Sequence, residues 1–79
     1  MSKKKIFPAI RSVGINGMLV QFSDKLDEAS NRAAISFCDT IRKQNWTFVE
    51  EISATLVSTF LRFDIKKVSH EEFTEALCS

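Results

Sequence analysis

The chain has 79 residues, enough for one domain, and carries 44% hydrophobic and 27% charged residues. Lys and Arg number 11 against 10 Asp and Glu, a net charge of +1, so there is no basic excess for a nucleic-acid backbone and no acidic tail. No run approaches the ~18 apolar residues of a membrane span, the N-terminus lacks the apolar core of a signal peptide, and the two cysteines, Cys38 and Cys78, read as free thiols. These features set the expectation of a cytoplasmic globular module.

Taken in chain order, Lys3, Lys4 and Lys5 form a short basic run that reads as a solvated end. Two apolar runs between Phe7 and Phe22 are split by Gly14-Ile15-Asn16-Gly17. Asn-Gly between such runs predicts a β-hairpin, because both residues accept positive φ. Pro8 lacks an amide donor, which puts the first strand at a sheet edge or starts it after Pro8. Met18, Val20 and Phe22 alternate with Leu19 and Gln21, giving a strand with one clearly apolar face.

Asp27 is placed to cap a helix whose apolar stripe runs through Ala29, Ala33, Ala34, Phe37, Cys38 and Ile41. Glu28 with Arg32 and Asp39 with Lys43 form i,i+4 pairs on its wet side. The helix is predicted to end near Gln44, with Asn45 as its stop. Phe48–Ser53 and Leu56–Phe63 read as two further strands. In the second, Val57, Thr59, Leu61 and Phe63 point one way and Leu56, Ser58, Phe60 and Arg62 the other. Ser69 and Glu72 then make a capping box, with Val68 and Phe73 as a hydrophobic staple, and Phe73, Ala76 and Leu77 are the buried stripe of the last helix. The order ββαββα predicts a two-layer α+β domain over residues 1–79, a four-stranded antiparallel sheet with both helices on one face. The rival βαββαβ order requires the hairpin to be absent and a final strand to be present.

The catalytic inventory is thin. His70 is the chain's one histidine and reads as an exposed residue at a helix start, with no second ligand spaced for zinc. Gly14 and Gly17 lead into a strand and make no phosphate cradle. Glu50 and Glu51 are adjacent, so in a regular strand they point to opposite faces and cannot act together. The sequence therefore assigns no catalytic, cofactor or metal residue. What remains is surplus apolar surface. Leu19, Leu56 and Phe60 are candidate interface residues on the outer face of the sheet. Trp46 is either an interface anchor or a half-buried lid on the helix end.

One resemblance emerges from these residues. Val13-Gly14, then Met18-Leu19-Val20-Gln21-Phe22, then Leu26 and Asn31 entering a helix, resemble the opening hairpin and helix of the KipI / allophanate hydrolase subunit 1 family, which includes 5-oxoprolinase components. Ser58-Thr59-Phe60-Leu61-Arg62-Phe63-Asp64 resembles a later strand of the same family, and the likeness runs from Ile10 to about Leu77. Ile15, Ala54 and Leu56 depart from it, standing where Asp, Pro and Tyr are usual. The resemblance implies an N-terminal β2-α-β2-α domain that carries no chemistry of its own, with the family's C-terminal cyclophilin-like barrel absent from these 79 residues. It implies as partners that barrel and an allophanate hydrolase subunit 2 or KipA-like subunit. The parent complex would be an ATP-dependent 5-oxoprolinase or an allophanate hydrolase, both amide-bond-cleaving hydrolases, with ATP used by the complex and no cofactor on this domain. A histidine kinase is the alternative partner, through KipI-like inhibition. A homodimer through a self-pairing sheet is a further option, and no nucleic acid or membrane is implied.

Overall fold

In the computed structural model, which describes residues 8–78, six elements follow in the predicted order: β1 (Ala9–Val13), β2 (Gly17–Gln21), α1 (Glu28–Gln44), β3 (Val49–Thr55), β4 (Ser58–Phe63) and α2 (His70–Cys78). The strands form one four-stranded antiparallel sheet in the order β1-β2-β4-β3. β1 starts after Pro8, so the missing amide donor falls outside the ladder, and the strand also lies at an edge of the sheet. Phe7, the Lys3–Lys5 run and Ser79 lie outside the described residues.

Both helices cover one face. Thr59, Leu61 and Phe63 alternate inward along β4 and are fully buried. The Thr59 hydroxyl donates to the Ala34 carbonyl of α1 at 2.8 Å, and the Phe63 ring meets Phe73 of α2 edge to face at 4.9 Å. Met18, Val20, Ile41 and Val68 complete the core. Thr59 is the buried polar residue of this core, and the bond to α1 satisfies it.

The helix ends are built as the local chemistry dictates. Asp27 is extended (φ −137, ψ 157) and accepts from the Ser30 N–H, while Asn45 closes α1 in the left-handed region at φ 55. At α2 the Ser69 N–H donates to Glu72 Oε1 at 2.9 Å and the Glu72 N–H to Ser69 Oγ at 3.0 Å, a reciprocal capping box. On the α1 surface Glu28 and Arg32 pair at 2.7 Å. Asp39 pairs with Arg42 at 3.3 Å, one residue short of the predicted Lys43. Both spacings bring side chains together on a helix surface.

Two local predictions are corrected. The β1–β2 loop has three residues, Gly14, Ile15 and Asn16, because Val13 pairs with Gly17. Positive φ falls on Gly14 (φ 68), so Asn16-Gly17 is not a two-residue turn. Gly17 belongs to β2, where a Cβ would lie 2.3 Å from the Val13 carbonyl and 3.0 Å from the Phe60 ring. Leu56 and Val57 form the β3–β4 turn, since Thr55 pairs with Ser58, and so are not strand residues. Leu56 adopts φ 45, a conformation in which its Cβ is crowded.

Glu50 and Glu51 also depart from the alternation expected of them. The register shifts between Val49 and Glu51, leaving Glu50 as an extra residue in β3. A bulge of this kind sets two consecutive residues against one on the partner strand and aims both side chains the same way. Both carboxylates accordingly reach the Arg62 guanidinium, Glu50 at 3.5 Å and Glu51 at 3.0 Å.

Candidate functional site

The sheet face turned away from the helices is set by register. Leu19 stands opposite Phe60, which in turn stands opposite Ser53, and Arg11 flanks Leu19 on β1. The next row towards the hairpin holds Val13, Gly17, Arg62 and Glu51, and the row at the other end holds Ala9, Gln21, Ser58 and Thr55. Leu19 and Phe60 are therefore cross-strand neighbours, half-buried within a mostly polar rim. The Phe60 ring is committed in part to the diagonal position, where it covers Gly17.

The four sequence-selected residues do not form one patch. Leu19 and Phe60 sit together on the outer face. Leu56 projects from the β3–β4 turn, 67% exposed. The same end of the sheet carries Leu26, 72% exposed, just before the α1 cap. Asn31 of α1 ties the helix to the β3–β4 turn, its Nδ2 donating to the Leu56 carbonyl at 2.5 Å, which gives that motif residue a structural role.

Trp46 lies in the helix layer, on the other side of the sheet. Its ring stacks on Phe48 at 5.5 Å and meets Phe73 edge to face at 6.1 Å. It also forms one wall of an open groove of about 270 Å³ between α1 and α2, with Phe37, Thr40, Ile41, Gln44, Ala76 and Leu77.

His70 is a residue whose role sequence reasoning missed. It is half-buried, and its ring sits edge-on to Phe63 at 4.8 Å. Nε2 lies 2.6 Å from the Ile15 carbonyl, which can only accept, so Nε2 carries a proton. Nδ1 lies 3.0 Å from Ser12 Oγ. The ring thus ties the start of α2 to the β1–β2 hairpin. Residues 55 or more apart in sequence make these contacts, so no local pattern announces them.

Asp27 has its carboxyl held below the usual range, first by the Ser30 backbone N–H and then by the Ser30 hydroxyl. This is a cap's signature and does not suggest catalysis. Among the described residues no group of three or more His, Cys, Asp or Glu side chains is placed to hold a metal ion. No helix among them is long and apolar enough to cross a membrane. The cysteines are unbridged, Cys38 buried and Cys78 exposed.

Fold and surface together define a small two-layer α+β domain whose distinctive chemistry is apolar surface and sheet edge. Residues 8–79 match the family described as carboxyltransferase domain, subdomain C and D. The chain belongs to that family, the grouping that takes in the KipI-like and 5-oxoprolinase-type proteins. Among solved structures it is similar to the conserved uncharacterized protein PH0987 from Pyrococcus horikoshii, with 26% identity and a TM-score of 0.83. That match covers 89% of this chain and 32% of PH0987, so the chain spans about a third of that protein's length. No curated protein matches.

Proposed function

We propose that this domain is a non-catalytic assembly module within a cytoplasmic carboxyl-transferring or amide-hydrolysing complex of the 5-oxoprolinase or allophanate hydrolase type. The observation that carries the reading is the family match over residues 8–79. The similarity to one third of a longer protein agrees with a domain that works beside others. In this reading the domain's partners are a cyclophilin-like barrel and a KipA-like subunit, and any ATP is used by the assembled complex. Leu19 and Phe60 are the contact we assign to the outer face. Their cross-strand pairing inside a polar rim has the layout of an interface centre. Leu56 is a second contact at the turn, and Trp46 a third, separate one at the helix groove.

The test is reconstitution. The domain, the barrel and the KipA-like subunit are purified separately, mixed, and assayed for co-elution and ATP-dependent amide cleavage, with and without the domain. The reading predicts that the domain joins the complex and that activity falls without it. Full activity with no co-elution would discard it.

A further inference from the structure

The two free edges of the sheet are not alike. Antiparallel strands send the N–H and C=O of alternate residues to alternate sides. Phe22 N–H donates to the Val57 carbonyl and Phe63 N–H to the Asn16 carbonyl. Counting from those bonds along the registers of β1 with β2 and of β4 with β3, Ile10 and Ser12 of β1 and Ile52 and Ala54 of β3 face outward.

The β3 edge is blunted. Arg42 of α1 reaches the Ile52 carbonyl at 3.5 Å, and Asn31 holds the Leu56 carbonyl just past the strand's end. The bulge at Glu50 breaks the ladder beyond Ile52. Such devices prevent strand addition. On β1 no corresponding cap covers the outward backbone groups of Ile10 and Ser12 among the described residues. Arg11 stands exposed between them on the outer face, with no ion-pair partner among those residues.

We propose that β1 is a docking edge for an extended strand of another protein, one that carries an acidic residue opposite Arg11. A second copy of this chain fits poorly. Antiparallel pairing of β1 with its own copy satisfies the outward groups of both Ile10 and Ser12 only in the register centred on Arg11. That register sets the two guanidinium groups directly opposite, a like-charge pair that opposes association. Pairing β1 with another copy's β3 meets an Ile52 carbonyl already bonded to Arg42 and the bulge at Glu50. Arg11 thus acts as a selector, disfavouring self-association and favouring an acidic strand. On the helix side this edge presents Ile10, half-buried at the margin of the core, and Ser12, whose hydroxyl is engaged with His70, so the partner position beside Ile10 is apolar.

The experiment uses two peptides of about ten residues, one alternating valine with glutamate and one alternating valine with lysine. Backbone amide exchange and chemical shifts of the intact chain are followed during titration. The glutamate peptide is expected to protect Ile10 and Ser12 and to bind about fivefold tighter than the lysine peptide. Arg11→Glu, an exposed substitution that leaves the core untouched, is expected to reverse that order. Equal binding of both peptides, protection at sites other than β1, or protection of Ile10 and Ser12 by concentration alone overturns the proposal.

Discussion

Leu56 shows how a single residue separates stability from use. At φ 45 and 67% exposed, it occupies a turn position suited to Gly or Asn and buries little in return. Leu56→Asn is therefore expected to raise the unfolding free energy by about 0.5–1 kcal/mol, read from the midpoint of a urea titration. If Leu56 contacts a partner, the same variant binds that partner more weakly while being more stable. Strain at an exposed apolar residue is the pattern under which the two effects part. The glycines divide in a similar way. Gly14→Ala is strained only by its φ of 68, with open space around it, whereas Gly17→Ala drives a methyl into the Val13 carbonyl and the Phe60 ring. The first is expected to cost about 1 kcal/mol and the second about 2–3 kcal/mol, and an inverted order in denaturant unfolding would contradict the assigned turn.

At the scale of elements, the caps carry the clearest predictions. The Asp27 carboxyl is held below its usual range, so its contribution is present above the unfolded carboxylate range of about pH 4 and is lost as pH falls through the lower folded value. Asp27→Asn keeps an acceptor for the Ser30 N–H and is expected to flatten the stability profile on the acid side, below about pH 5. Parallel pH profiles for the two proteins would contradict this. At α2, Ser69→Ala removes the hydroxyl that accepts from Glu72 N–H and is expected to cost about 1 kcal/mol, measured by thermal unfolding.

These same elements show what local pattern can carry. Asp27, Asn45 and the Ser69–Glu72 box were legible because a cap is a relation between residues at most a few positions apart. The Leu56–Val57 turn and the Glu50 bulge were not, because each is fixed by the register of β3 on β4. Alternation of side chains along one strand says nothing about where its partner slips by a residue. That slip is why Glu50 and Glu51, expected on opposite faces, meet at one arginine.

For the molecule as a whole, stability rests on a small core in which Phe63 and Phe73 are fully buried against each other and against Phe48, Trp46 and His70. Phe73→Ala is expected to cost about 3–5 kcal/mol. In so small a domain that approaches the entire folding free energy of about 5 kcal/mol, and loss of cooperative melting is the readout. The fold class and order were readable because hairpin, helix periodicity and caps all agreed. The candidate site was readable only in part. Leu19 and Phe60 followed from two-residue alternation and do stand side by side, whereas the placement of Trp46 and Leu56 away from them depends on how the layers stack. The role of His70 depends on contacts between the two ends of the chain.

The assembly role is tested most directly by the hydrogen-exchange footprint of this domain mixed with a KipA-like subunit and a cyclophilin-like barrel. The account predicts a stable mixed complex in which exchange slows along β2 and β4 around Leu19 and Phe60. Separate elution, with exchange at Leu19 and Phe60 unchanged from that of the isolated domain, would contradict it.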